Sequence, residues 1–131
     1  MNIKLNKILA EISAGELIDK ITILEIKKEK IKNKEKLSDI EKELKSLNAT
    51  SADKIPNKNE IKDLIDNLKR INLRLWDIEE NKRLAEKNKI FDERFIELSR
   101  EVYKTNDERA KIKLKINVIL GSNIKEVKSH Y

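Results

Sequence analysis

The chain has no cysteine, only two glycines and one proline among its 131 residues. The lack of cysteine excludes a disulfide scaffold and every metal site built on thiolates. Because Gly and Pro supply many of the turns of a small β-sandwich, their scarcity favours long helices. The single histidine, His130, lies beside the C-terminus, where we expect it to be solvated, so no histidine-based triad can form. Two glycines are also too few for a phosphate-binding glycine-rich loop.

No run of about 18 apolar residues occurs in the chain, so the sequence predicts no membrane-spanning helix. The N-terminus also lacks the apolar core of about 7–15 residues that a secretory signal carries. Together with the absence of cysteine, these features predict a cytoplasmic protein. A length of 131 residues fits one domain, and we assign residues 1–131 to it.

The charge of the chain is high but does not identify a partner. Charged residues make up 41% of the sequence and the net charge is +6, which invites a nucleic-acid interpretation. Lysine outnumbers arginine 24 to 6, however, and only 4% of residues are aromatic, whereas base recognition and stacking favour Arg and aromatic side chains. The densest basic run, residues 27–36, holds six Lys and two Glu and is typical of a solvated helix face. Binding of a polyanion by this run stays an alternative.

Three segments have the apolar spacing of long amphipathic helices. The first begins in a capping box at Ser13, and the third begins at Asp92 and ends before Gly121. A polar stretch at 48–53, followed by Pro56, predicts the loop after the first helix. The sequence thus predicts helices at about 13–48, 57–89 and 92–120, with tails at 1–12 and 122–131.

The predicted architecture is all-α, an elongated up-down-up three-helix bundle with coiled-coil-like packing. In the first helix the heptad spacing is continuous only if Lys30 and Asn33 count as seam positions. Apolar and polar residues alternate between 111 and 119, which also suits a strand. We favour a helix because the heptad spacing runs through these residues to Gly121. The tail segments compatible with short strands are 3–5, 8–12 and 124–128.

The first half of the first helix is apolar on all sides. Its apolar residues are Leu17, Ile18, Ile21, Ile23, Leu24 and Ile26. A helix that is apolar all round must be covered all round, and two neighbouring helices cannot do this. We therefore predict a homo-oligomer, with a dimer favoured, in which a tail or a second subunit completes the cover.

In the predicted helices, polar residues interrupt the row of apolar residues that faces the bundle core. These polar positions lie at the same height along the predicted bundle. Antiparallel pairing through the predicted loop places residue n of the first helix opposite about residue 105 minus n. Burial of polar groups is costly unless they pair, so we interpret this polar belt as a structural network that fixes the register. Its members are Glu25, Glu29, Lys30, Asp77, Glu80, Tyr103, Thr105, Asn106, Asp107 and Arg109.

Two functional interpretations of the belt remain open. The first is a site for Mg²⁺ or Mn²⁺ of the kind used by all-α nucleotide pyrophosphohydrolases, with carboxylates from facing helices. Its ligands would be Glu25, Glu29, Asp77 and Glu80. In the second, Lys30 and Arg109 bind an anionic small molecule, as helical chorismate mutases do. Neighbouring cations can satisfy the acids without an ion, so we expect neither metal nor cofactor and lean against an enzyme.

Several stretches of the chain resemble a family of small bacterial helical proteins of unknown function. They are Gly15–Lys27, Leu75–Glu79, Phe91–Phe95, Val102–Ala110 and Glu126–Ser129. Members of that family are similar to modules found beside, or joined to, glycosyltransferases and tetratricopeptide repeats. The resemblance implies one intact domain and a link to surface-polysaccharide biosynthesis, and it supplies no catalytic residues.

The function that these features favour is a non-enzymatic helical interaction or accessory protein in the cytoplasm. The resemblance adds the expectation of a protein partner in glycan biosynthesis. The alternatives are a metal-dependent nucleotide pyrophosphohydrolase and a basic helical nucleic-acid binder, and the small share of Arg and aromatic residues disfavours the latter.

Overall fold

The computed structural model describes residues 4–128, and they form four α-helices joined by short connections. The helices are α1 (Ala14–Lys30), α2 (Lys34–Lys54), α3 (Lys62–Lys87) and α4 (Glu93–Leu120), with one 3₁₀ turn at Asn59–Ile61. No strand occurs between residues 4 and 128, so the all-α class is confirmed for this part of the chain. The predicted count of three helices is wrong. The strands considered for the tails are absent from the described residues, and Ile3 lies outside them.

The first predicted helix, 13–48, is in fact two helices. Residues 31–33 leave the helical conformation, and the Asn33 side chain accepts a hydrogen bond from the Lys36 amide at 3.0 Å. Asn is a poor residue inside a helix and a good one at its N-cap, so Asn33 begins a new helix. The predicted heptad spacing was continuous only if Lys30 and Asn33 were counted as core positions. In the structure, Lys30 ends α1 and Asn33 is the N-cap of α2.

The loop predicted at 48–53 is also wrong, because α2 continues through it to Lys54. Ser51 is buried there and accepts the Ile55 amide through its backbone carbonyl at 2.8 Å. The helix ends at Ile55 because Pro56 disfavours the helical conformation of the residue before it. The proline, rather than the polar run, sets this boundary.

The boundaries predicted for α4 are confirmed. Asp92 accepts a hydrogen bond from the Phe95 amide at 3.2 Å, and Gly121 closes the helix with a left-handed φ of 64°. Residues 111–119 are helical, so the strand alternative for this stretch is excluded. Gly fits the left-handed cap because it has no Cβ to clash with the preceding turn.

The all-round apolar helix α1 is covered within a single chain. It packs against α2 on one side and against α3 and α4 on others, whereas α2, within the described range, packs on α1 alone. α3 and α4 form the most extensive helix pair. The shared core consists of Leu17, Ile18, Ile21, Leu24, Ile40, Leu44, Ile55, Ile61, Leu68 and Ile116. The break at 31–33 supplies a third covering helix that the prediction lacked, and the C-terminal tail contacts the start of α1 through Ser122 and Glu126. The homo-oligomer stays a prediction.

Two terminal segments flank the four helices. The N-terminal segment, residues 4–12, forms neither helix nor strand and is exposed throughout. The C-terminal segment, residues 122–128, follows Gly121 and returns along α4, where Lys128 pairs with Asp107. Among residues 4–128, none of the helices combines the length and the apolar character that crossing a bilayer requires.

We expect the Asn33 cap to contribute measurably to stability. Asn33→Ala removes the side-chain acceptor for the Lys36 amide and should lower the free energy of unfolding by about 1 kcal/mol. Asn48→Ala is the matched control, because Asn48 is exposed inside α2, where Ala is the better helix former. Urea denaturation of both variants tests this, and equal losses would show that Asn33 does not act as a cap.

Candidate functional site

Gly15 lets α1 approach α4 more closely than any other residue would allow. Its backbone N–H donates to Asn117 Oδ1 at 2.6 Å. A Cβ at this position would lie 2.5 Å from the Lys113 carbonyl oxygen, which is backbone and cannot rotate away. The side chain that a larger residue would add has no space, so the contact depends on the absence of a side chain.

The carboxylate of Asp19, one turn further along α1, is fully buried between three helices. Arg109 of α4 forms two hydrogen bonds to this carboxylate: Nε donates to Oδ1 at 2.9 Å, and Nη2 donates to Oδ2. Asn72 of α3 donates to Asp19 Oδ1 at 2.9 Å and also to Thr22 Oγ1 at 2.9 Å. This polar core, made of Asp19, Thr22, Asn72 and Arg109, ties α1 to both other helices.

Lys113 adds a second cation beside the polar core. Its Nζ lies 2.5 Å from Glu16 Oε2 and 3.8 Å from Asp19 Oδ2. Hydrogen bonding to Asp19 raises the pKa of Arg109 above its ordinary value; burial opposes this, and the charges of Asp19 and Glu16 reinforce it. Arg109 is therefore charged at every accessible pH, and Glu16 and Asp19 of α1 are neutralised by residues of α4.

The C-terminal segment is attached to this core by Glu126. Ser13 Oγ donates to Glu126 Oε1 at 2.5 Å, and Asn117 Nδ2 donates to Oε2 at 3.2 Å. Ser13 Oγ also accepts the Glu16 amide, which confirms the N-cap half of the predicted capping box, while the Glu16 side chain goes to Lys113 instead. The start of α1 and the end of the chain are thus held together by side chains on both.

The pKa of Glu126 lies below its ordinary value of 4.5. Burial raises the pKa and is the largest single effect, but hydrogen bonds from Ser13, from its own backbone N–H and from Asn117, with the charge of Lys113, outweigh it. A lowered pKa means that the folded chain favours the carboxylate, so this contribution to stability is present above pH 4.5 and is lost as the pH falls through the lower folded value. The C-terminal segment is therefore held at neutral pH.

An open groove of about 1230 Å³ lies between α4 and the C-terminal segment. Four members of the polar belt line it: Tyr103, Asn106, Asp107 and Arg109. Its apolar lining consists of Val102, Ala110, Leu114 and Val127. The groove combines apolar walls with several polar groups and is the candidate binding site.

A family of unknown function, DUF6165, matches residues 8–131. The chain belongs to this family. The match contains the whole polar core and every residue that lines the groove, and it begins within the N-terminal segment. No curated protein and no solved structure matches the chain.

The structure brings together only part of the predicted polar belt. Thr105 is buried one turn from Arg109, and Asn106 Oδ1 accepts from Arg109 Nη1 at 3.4 Å. Tyr103 and Asp107 lie on the groove side of α4. The five belt residues on α4 are thus neighbours, as their spacing along one helix requires.

The other five belt residues lie elsewhere. Glu25 is half-buried in α1, Glu29 pairs with Lys69 at 3.3 Å, and Lys30 is exposed at the end of α1. Asp77 and Glu80 are exposed on α3. Within residues 4–128, no three Asp, Glu or His side chains lie close enough to share an ion, so the four-carboxylate site is not formed by these positions.

The register error has a definite cause. The rule of 105 minus n assumed that the first helix returns directly through a loop at 48–53, whereas α2 intervenes and packs only on α1. Asp19 consequently faces Asn72 and not a residue near 86. The part of α3 that contacts Asp19 therefore lies more than three helical turns from the part that the predicted pairing placed there.

Sequence reasoning missed five residues of the site: Asp19, Asn72, Lys113, Asn117 and Glu126. Asp19 carried a usable signal, because it is an acid inside a stretch that is apolar on all sides. A buried carboxylate requires a cation or several donors, so its position alone called for a partner. Asn72 and Asn117 each lie between two apolar residues but carry no charge, and Glu126 follows Lys125 in the tail, so none of the three required a partner as Asp19 did.

The basic run 27–36 lies at the turn between α1 and α2, and none of its residues lines the groove. None of its six lysines forms an ion pair with a residue between 4 and 128. The prediction of a solvated face and its polyanion alternative concern a surface separate from the groove. His130 lies outside the described residues.

We expect Gly15→Ala to destabilise the fold. The added Cβ would meet the Lys113 carbonyl, and forcing α1 away from α4 should cost about 1–3 kcal/mol despite the better helix propensity of Ala. Gly121→Asn is the comparison, because Asn tolerates a left-handed φ and a Cβ there meets nothing within 4 Å. Thermal unfolding should show a large fall in Tm for Gly15→Ala only. A similar Tm for both variants would contradict a close contact at Gly15.

We expect Arg109→Ala to be among the most damaging single changes. It leaves the buried Asp19 carboxylate with Asn72 and a more distant Lys113, and breaking a buried pair costs about 3–5 kcal/mol. Arg74→Ala is the control, since Arg74 pairs with Glu108 on the surface, where ion pairs contribute about 0–1 kcal/mol. Chemical denaturation compares the two. A loss for Arg109→Ala no larger than for Arg74→Ala would show that Asp19 does not depend on this pair.

Proposed function

We propose that this chain is a non-enzymatic interaction protein that self-associates through the groove between α4 and the C-terminal segment. The observation that supports this is the location of its exposed apolar side chains. Eight of the thirteen large hydrophobic residues that are exposed in the described range lie in the N-terminal segment, in the last two turns of α4 or in the C-terminal segment. They are Leu5, Ile8, Leu9, Ile12, Leu114, Val118, Ile119 and Val127.

Apolar surface that is this concentrated calls for a partner. Full burial of a Leu or Ile side chain contributes roughly 1.5–3 kcal/mol, and association itself costs about 4–15 kcal/mol. Eight such side chains on each of two copies are enough to exceed that cost. Contiguous apolar patches on a soluble chain mark interaction sites far more often than isolated apolar residues do.

The polar residues near the groove support a binding role over catalysis. Between residues 4 and 128, every buried side-chain nitrogen or oxygen atom has a hydrogen-bond partner within the chain. Arg109 and Lys113, the two cations at the groove that reach the polar core, are already engaged by Asp19 and Glu16. A cation that is paired with an acid of the fold is held in one position, so we infer that the polar core holds the groove in shape.

The biological setting is part of the same proposal. We propose a cytoplasmic accessory protein of bacterial origin, in keeping with the absence of cysteine and with the resemblance to modules beside glycosyltransferases. The partner beyond a second copy would then be an enzyme of surface-polysaccharide biosynthesis. The groove and the exposed apolar end are the surfaces available to such a partner.

Self-association can be tested by sedimentation of the purified chain at micromolar concentration, where we expect a dimer. Leu114→Glu places a charge in the groove and should weaken the dimer about tenfold or more. Leu84→Glu is the matched control, because Leu84 is a similarly exposed leucine on α3 that does not line the groove, and should leave the dimer unchanged. A monomeric parent chain would refute the proposal, as would equal effects of the two substitutions.

A further inference from the structure

We infer that the occupant of the groove is the N-terminal segment, residues 4–12, of a second copy, exchanged reciprocally between two chains. This inference rests on the proposed self-association and deepens it by naming the part of the partner that binds. Neither the family match nor the described fold assigns a role to these residues.

The N-terminal segment has the pattern of a helix that binds in a groove. Leu5, Ile8, Leu9 and Ile12 fall at positions i, i+3, i+4 and i+7, which lie on one face of a helix. In the single chain the segment is not helical, and Leu5, Ile8 and Leu9 are 81%, 81% and 90% exposed. An amphipathic pattern without a surface to pack on is typical of a segment that orders when it binds.

The segment leaves the body of the molecule beside the groove. Glu11 Oε1 accepts from Asn123 Nδ2 at 2.6 Å, and Ser13 is bonded to Glu126, which lines the groove. These contacts fix residues 11–13 against the C-terminal segment, whereas residues 4–10 are exposed. A second copy that brings its own groove end near this point would therefore meet the apolar face of the segment directly.

Groove and segment match in length and in chemistry. The lining of the groove on α4 runs from Val102 to Leu114, about 18 Å of helix, and nine residues of helix span about 14 Å. Both parts present apolar side chains, Ala110 and Leu114 among those of the groove and Leu5 and Leu9 among those of the segment, so apolar burial would drive the contact.

A second copy fits this arrangement better than the same chain does. Within one chain the segment lies outside the groove, and both surfaces are left in contact with water. Reciprocal exchange covers both grooves and both segments with a single twofold axis, and it closes at two copies.

The test compares two full-length variants with a matched control. Ile8→Glu with Leu9→Glu impairs the segment, Leu114→Glu impairs the groove, and Ile90→Glu with Phe91→Glu adds the same charge at exposed apolar residues of the α3–α4 turn. We expect the segment variant to raise the Kd of the dimer about a hundredfold, and the control to leave the Kd unchanged. All the substituted side chains are exposed in the single chain, so circular dichroism should show intact helices.

Mixing the segment variant with the groove variant identifies the exchange itself. The mixed dimer has one intact segment facing one intact groove, so we expect a heterodimer that binds more tightly than either variant alone. Absence of a heterodimer, when both single variants are monomeric, would overturn the exchange and would fit a segment that fills the groove of its own chain.

The outcomes also separate this inference from the proposed function. A segment variant that dimerises as tightly as the parent chain would refute the exchange and leave self-association standing. A monomeric parent chain would refute both. If the monomeric parent chain bound anionic phospholipid vesicles and the segment variant did not, the N-terminal segment would be a membrane-binding segment. That result would also overturn the inference.

Discussion

The buried carboxylate of Asp19 is the constraint on which the arrangement of the helices depends. A charge with no exposure to water is tolerated only if cations and donors surround it, and here they come from Arg109 on α4 and Asn72 on α3. Those bonds fix the register of α1 against both helices at once. The close contact at Gly15 lies one turn away and follows from the same register, because α1 can approach α4 there only without a side chain. Apolar packing alone would permit slippage by a turn, whereas the ion pair does not.

The same interaction shapes the candidate site. Arg109 and Lys113 lie at the groove, yet their charges are largely balanced by Asp19 and Glu16 beneath them. A molecule in the groove therefore meets apolar walls and a polar floor whose strongest charges are already paired, and this suits a peptide segment better than a free anion. Glu126 then holds the C-terminal segment as the second wall, through Ser13 and Asn117. Removing the ion pair would loosen the floor of the groove as well as the fold.

The capping signals at three helix ends were reliable, whereas the polar run at 48–53 and the signals that depended on a long-range register were not. Ser13, Asp92 and Gly121 act at helix ends because each needs only its own neighbours, and all three stand where the sequence placed them. Thr105 and Arg109 were correctly grouped because both lie on one helix. Asp77 and Glu80 were grouped with them only through an assumed pairing of helices, which the break at Asn33 invalidates. A polar residue at a heptad position can mean either a buried network or the end of a helix, and the spacing by itself cannot distinguish the two.

The break at Asn33 also changes which surface calls for a partner. With α2 folded back, the apolar face of α1 is covered within one chain, and no second subunit is needed there. Nine of the thirteen exposed large hydrophobic residues in the described range belong to the N-terminal segment and to α4. Leu5, Ile8 and Leu9 form no helix in the single chain because nine residues are too short to be helical without a surface to pack on. The N-terminal segment has the pattern of an amphipathic helix but is not helical in the single chain, so it needs a binding surface in order to fold. α1 already packs within one chain, and it therefore indicates a partner less directly than this segment does.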